Sequence, residues 1–312
     1  MSMAGTLAVI IGLSTLFFTL VLSLLEVFDF ITLGILVVTF NIVQWLVSPY
    51  LVNALYHARE LPKAEEPELH AMVEGLSKKS GIKTPKLMLA QIPIPNAFAY
   101  SSPIAGSRIA VTSGLLKTLD TGEVEAVIGH ELGHLRHKDV QTMMFVSMLP
   151  ALLSYIGYSL MFSMSSRRRE GSGDLGIIGI VFMAFSWVLN LFILYLSRLR
   201  EYYADRHSAS IVPDGPRKLS VALAKIVQTT RNMGKARKEV KNQNAFKALF
   251  IADPDHAEID SAEINRLAST SGEQKLVEEI MSHKLTTAER LIEALSTHPN
   301  MTKRLKALQE LD

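Results

Sequence analysis

The sequence predicts a mainly α-helical chain with a small β-sheet, part of it outside a membrane and part built into one on four crossing helices. Three observations predict this. Four long apolar runs carry no charged residue. A stretch between residues 85 and 112 alternates as β-strands do. A helix in the middle of the chain carries two histidines four residues apart, His130 and His134.

Composition sets the frame. Of 312 residues, 48 % are hydrophobic, and the mean hydropathy is +0.23. That is high for a soluble protein and low for one that is wholly membrane, so spanning helices and a water-facing part are both expected. The net charge of +2 gives no pull toward nucleic acid, and none is expected as a partner. The chain has no cysteine. Disulfides, thiolate metal sites and a cysteine nucleophile are therefore excluded, and any metal must be held by His, Asp and Glu.

The apolar runs cover roughly residues 7–25, 31–52, 142–164 and 175–196. Each approaches the ~20 residues that a helix needs to cross the bilayer core. The first run has no basic residue before it, the first Lys or Arg in the chain being Arg59, and a second apolar run follows almost at once. A retained hairpin, and not a cleaved leader, is expected. The organisation that follows is a membrane hairpin at 1–52, the first half of a water-facing domain at 53–141, a second hairpin at 142–196 and a helical second half of that domain at 197–312. Even crossings put both halves on one side. Near the membrane that side carries Arg59, Lys63, Arg136, Lys138, Arg198, Arg200 and Arg206, against Arg167, Arg168 and Arg169 on the other. The excess predicts a multi-pass protein of the cell's inner membrane whose water-facing domain, the one that carries His130 and His134, faces the cytoplasm.

Between the hairpins, Pro67–Ser80 reads as a helix opened by Pro and closed by Gly81. Residues 85–91 and 107–112 read as strands, with a third at 96–100. Asp120 and Glu123 form a capping-box pattern at the start of the histidine helix. After the fourth run, helices are expected at 201–211, 216–230, 262–267, 272–283, 287–295 and 301–311. The basic stretch 231–245 reads as a solvated loop or helix face.

His130-Glu131-Leu132-Gly133-His134 carries the chemistry. On a helix, positions i and i+4 lie one above the other, so both imidazoles can share one zinc ion. Glu131 then stands beside the metal as a base for a water. Val124, Ala126, Val127 and Ile128 make the preceding turns apolar, which places the pair on a buried helix. A catalytic zinc takes a third protein ligand and keeps one position open. His137, Asp139, Glu201, Asp205 and His207 are candidates. Glu201 and Asp205 stand out, again i and i+4, because the intervening hairpin must return the chain to the surface it left. Glu201 as ligand and Asp205 as partner to an imidazole N–H gives each a role.

Several stretches resemble one family: His130–His134 with Asp139, Glu201-Tyr202-Tyr203-Ala204-Asp205, Pro95-Asn96-Ala97-Phe98-Ala99, and Thr297-His298-Pro299 with Arg304. They are similar to the HtpX-type membrane zinc metallopeptidases, relatives of the CAAX prenyl proteases. The resemblance implies a zincin-like, gluzincin-type catalytic domain with one Zn2+ per chain. It implies Glu201 as third ligand, Asp205 as the group that orients a zinc histidine, His130 first, and quality control by cutting misfolded or damaged membrane proteins. For the developing oxyanion, His298, Arg206 and Tyr202 are candidate donors. His298 could instead close the metal's open position until substrate displaces it. Asn96 and Ala97 begin a candidate edge strand to which an extended peptide substrate could add. Two other functions fit the hydropathy: a four-helix channel or transporter, and a zinc scaffold without catalysis. The first lacks charged residues inside the spanning runs. The second has no use for Glu131.

Overall fold

The computed structural model describes residues 17–19, 22, 29–166, 173–236, 272–283 and 285–311. The first apolar run and the helix expected at 262–267 lie outside the described residues, apart from four positions in the former. The chain divides into two compact units, one made of residues 1–45 and 141–197, the other of 46–140 and 198–312.

The second unit begins within helix α1 (Phe30–Leu55) and continues through β1 (Ala58–Glu60), α2 (Pro67–Ser80), β2 (Lys86–Ala90), β3 (Ala97–Ser102), β4 (Gly106–Thr112), α3 (Ser113–Thr118) and α4 (Thr121–Arg136). Helices α5 (Asp139–Ser166) and α6 (Gly173–Ile211) follow, then α7 (Gly215–Ala236), α8 (Glu273–Ser282), α9 (Thr287–Ala294) and α10 (Met301–Gln309). The expected caps are in place. Pro67 opens α2, and Gly81, at φ 67°, closes it in the left-handed conformation that glycine adopts without strain. Asp120 and Glu123 cap α4 reciprocally, each side chain accepting from the other's backbone N–H.

The sheet is mixed, with strand order β1-β2-β4-β3. Strands β2 and β4 run parallel, while β1 and β3 pair antiparallel on either side. Period-two alternation gives it two buried faces. Leu87, Leu89, Ile109 and Val111 join the main core with Val124, Val127, Ile128 and Leu132 of α4, Leu219 and Leu223 of α7, and Leu305 and Leu308 of α10. Met88, Phe98, Tyr100 and Ala110 face the other way and pack with Tyr56, against Val52 at the end of α1. Helix α4 is thus the buried centre of this unit.

Among the described residues, three helical stretches are long and apolar enough to cross a membrane, Ile31–Leu55, Asp139–Met161 and Gly176–Ile211. One expectation is overturned. The fourth apolar run and the helix expected at 201–211 are one continuous helix of 39 residues, α6. Arg198 and Arg200 end the apolar run but not the helix, since no Gly or Pro occurs between Val181 and Ile211 to stop it. In the first unit, α5 and α6 pass so closely that a Cβ on Gly157 would lie 2.7 Å from the Gly179 carbonyl oxygen, and the reverse. The Ser154 and Ser186 hydroxyls bond there at 2.6 Å, and Ser186 also donates to the Pro150 carbonyl.

Candidate metal centre

Helix α4 presents His130 and His134 on one face, their Nε2 atoms 3.1 Å apart. Glu201 of α6 meets both, with Oε2 3.7 Å from His130 Nε2 and Oε1 3.7 Å from His134 Nε2. The ligand atoms of the three residues lie within 4.8 Å of one another. His130 and Glu201 are buried, and Glu201 Oε2 has no hydrogen-bond partner. Leaving such an oxygen unsatisfied is costly. Two imidazoles and a carboxylate converging on one point, with a buried carboxylate oxygen left over, fit a metal ion.

Small residues make this convergence possible. A Cβ on Gly133 would lie 2.9 Å from Ala204 Cα, and one on Gly129 would lie 2.9 Å from Ser208 Oγ. With no side chain at either glycine, α4 and α6 approach closely enough for the Ser208 hydroxyl to donate to the Ala126 carbonyl at 2.6 Å. Glu201, one turn earlier on α6 than Ala204, is carried up to the histidines.

Each imidazole is held from behind. His134 Nδ1 bonds Asp139 Oδ2 at 2.6 Å, and Asp139 in turn lies 3.2 Å from Arg200 Nε. His130 Nδ1 lies 2.8 Å from Asp205 Oδ1. A carboxylate behind each ring fixes the tautomer that leaves Nε2 free for a metal. Arg304 of α10 anchors this arrangement. It is fully buried and donates through Nε and Nη2 to both oxygens of Asp205, at 2.9 and 2.6 Å, while Nη1 lies 3.4 Å from Glu201 Oε2. Burial opposes the guanidinium charge, but Asp205 and then Glu201 hold its pKa above the ordinary value.

Glu131 is buried beside the cluster. Burial pushes its carboxyl up to about 7, against the pull of His134, and Glu201 adds to the rise. The Ala99 backbone N–H of β3 donates to it. Strand β3 is a sheet edge, pairing with β4 alone among the described strands. Asn96 and Ala97, both buried, open that strand, and the Asn96 N–H is tied to Thr112 Oγ1 at 2.9 Å. His298, between α9 and α10, points Nδ1 at Glu201 Oε2 from 3.6 Å.

The other candidates are placed elsewhere. Asp139 backs His134 instead of facing the metal point, His137 is exposed, and His207 bonds the Ser80 hydroxyl at 2.9 Å. Arg206 is exposed and on a different face of α6 from Glu201 and Asp205, so it is poorly placed as an oxyanion donor. Tyr202 is half-buried. Two contributors escaped the sequence reading, the close approach at Gly133 and the anchor at Arg304. The Arg304 position was visible only as part of a motif.

A metal-binding cluster on a buried helix, a glutamate beside it and the outermost strand of the sheet alongside define a metallopeptidase. Residues 63–312 match peptidase family M48, and the chain belongs to that family. A protease HtpX homolog of Thermoplasma acidophilum is 38 % identical over 277 residues, 87 % of this chain and 82 % of that one. One of Aeropyrum pernix is 38 % identical over 284 residues, 89 % and 85 % of the two chains, and protease HtpX homolog 2 of Saccharolobus solfataricus is 45 % identical over 204, 62 % and 63 %. In fold, the chain is similar to the crystal structure of S. mikatae Ste24p, with a TM-score of 0.56 at 17 % identity. That match covers 98 % of this chain and 64 % of the other. Nothing in these likenesses supports a channel or a silent scaffold.

Proposed function

We propose that the protein is a membrane-integrated zinc endopeptidase that cuts misfolded or damaged membrane proteins. The observation that carries this is the convergence of His130, His134 and Glu201 beside a buried Glu131 and the edge strand β3. Two neutral imidazoles and a carboxylate are a zinc donor set, and one Zn2+ per chain leaves the open position that catalysis needs. Zinc bound there supplies Lewis acidity, lowering the pKa of a water and polarising the scissile carbonyl. Glu131 takes the proton of the attacking water and delivers it to the leaving amine. The substrate, an extended segment, adds to the β3 edge from Asn96 and Ala97 onward, and His298 donates to the oxyanion. Asp205 and Asp139 hold the two histidines in register.

The catalytic domain, of gluzincin type, comprises residues 53–141 and 197–312, with hairpins at 1–52 and 142–196 supplying four crossings. It faces the cytoplasm from the inner membrane, in keeping with the excess of Lys and Arg on that side. Metal content and casein cleavage in detergent, wild type against Glu131→Gln, test the reading. The variant should keep about one zinc per chain and lose proteolysis, because Glu131 is a base and not a ligand. Substantial residual hydrolysis by the purified variant refutes it.

A further inference from the structure

We propose that the turn between β3 and β4, residues Ser102–Gly106, inserts into the bilayer beside α1, so that the β3 edge starts in lipid and receives substrate segments directly from it. The inference rests on the proposed function and names the segment of a membrane protein just outside its span as the preferred substrate.

The hairpin runs along α1 toward the apolar part of that helix. Tyr100 Oη lies 2.6 Å from the Asn53 amide, and two residues further on Ser102 Oγ donates to the Leu46 carbonyl at 3.0 Å. Counting from Ile31, just after Asp29, the ~20 residues that cross a bilayer core reach Tyr50. Leu46 therefore lies about 6 Å inside the core, at ~1.5 Å per residue. Tyr50 marks the boundary, the level at which aromatic side chains gather in membrane proteins, and the buried Arg108 guanidinium sits 5.3 Å from its ring centroid as a cation–π contact.

The turn has the chemistry that lipid demands. From Ser101 to Ser107 it carries no charge. Ile104, at its tip, is 66 % exposed, and Pro103 beside it is exposed too and has no N–H to satisfy. Ser102 Oγ accepts from the Ala105 N–H while donating to α1, so these polar groups are satisfied within the protein. Where water is absent, such internal satisfaction is obligatory. The apolar part of α1 inside that boundary is equally open, with Val43 50 % and Val47 41 % exposed. Ala99, whose N–H reaches Glu131, lies three residues of strand from Ser102, about 10 Å, with two turn residues more to Ile104. A peptide added to β3 thus passes from lipid to the base within about five residues.

The test uses the full chain in phospholipid vesicles, with Glu131→Gln to prevent self-cleavage. Because the chain has no cysteine, single probes are clean. Bimane is attached at Ile104→Cys, at Val47→Cys on α1, three residues inside Tyr50 and 41 % exposed, and at Lys83→Cys on the exposed approach to β2. Ile104 should behave as Val47 does, quenched at least about twofold more than Lys83 by acyl-chain nitroxide lipid and shielded from iodide. Quenching by iodide as at Lys83, with Val47 still lipid-quenched, overturns the proposal. So does shielding of Ile104 from both quenchers, which would mean that protein covers the turn. Loss of lipid quenching at Val47 itself overturns the membrane reading of α1, a separate failure. With Glu131 restored, Ile104→Asp should slow cleavage of a membrane-tethered reporter about fivefold, the scale for a charge placed near the bilayer interface. Casein cleavage in detergent should be unchanged, and Ile104→Leu should retain both activities. Equal losses on both substrates, or none on either, count against the proposal.

Discussion

Arg304→Met removes a cation that meets two buried carboxylates. Arg304 is fully buried, Asp205 is 3 % exposed and Glu201 5 %. The variant loses two charge-assisted hydrogen bonds to Asp205 and the 3.4 Å contact with Glu201. Methionine is flexible and fills most of the vacated space, so the effect is electrostatic and not a cavity. Breaking a buried ion pair from one side costs about 3–5 kcal/mol. At ~2–4 °C per kcal/mol for a unit of this size, unfolding should move down by about 10 °C. Metal binding should weaken as well, by roughly 10–100-fold, because an unanchored Asp205 no longer fixes the His130 ring. Arg304→Lys keeps the charge but not the two-pronged grip and should fall between the two. Replacing both partners, Arg304→Met with Asp205→Leu, should recover much of the stability without recovering the metal affinity. Thermal unfolding in detergent and competition with a zinc chelator, both in the Glu131→Gln background, read these quantities. If Arg304→Met melts within about 2 °C of its parent and binds zinc equally well, the anchoring argument is wrong.

Further expectations follow from the same geometry. Glu201→Gln should lose zinc and activity together, whereas Asp205→Asn should weaken zinc by roughly 10–100-fold and keep some turnover; full zinc occupancy in Glu201→Ala, read by atomic absorption, would move the third ligand elsewhere. Gly133→Ala should gain about 1 kcal/mol of helix propensity yet lose zinc affinity, because its Cβ meets the Ala204 backbone at 2.9 Å; a more stable variant with unchanged affinity in chelator competition would show that α4 and α6 need no such approach. His298→Ala should lower kcat about 10²-fold with little change in KM, the scale for one lost oxyanion contact; steady-state kinetics showing faster cleavage would instead make His298 a gate.

The legible parts of this protein are those governed by short periods. The four-residue spacing of His130 and His134, the Asp120–Glu123 cap and the Pro67 and Gly81 boundaries each depend on residues within one helical turn, and each is found where the sequence puts it. Strand β1 was missed because three residues, Ala58 to Glu60, are too few to show alternation. The continuity of α6 was missed because hydropathy falls at Arg198 while helix propensity does not. Arg304 shows the deeper difficulty. An arginine on an amphipathic helix is ordinarily exposed, and only the fold shows that two acids from α6 surround it. Gly133 likewise reads as a spacer between histidines until α6 is seen against it.

The anchoring of the centre by Arg304 also has a consequence in time. Ribosomes make the histidines first, Glu201 and Asp205 about seventy residues later, and His298 and Arg304 about a hundred residues after those. Until the last of these emerges, the two acids of α6 lack the Arg304 guanidinium that pairs with them. On the reasoning given for Arg304→Met, a nascent chain should therefore hold its metal less tightly than the finished one. The centre reaches full strength only when the segment made last has docked against α6.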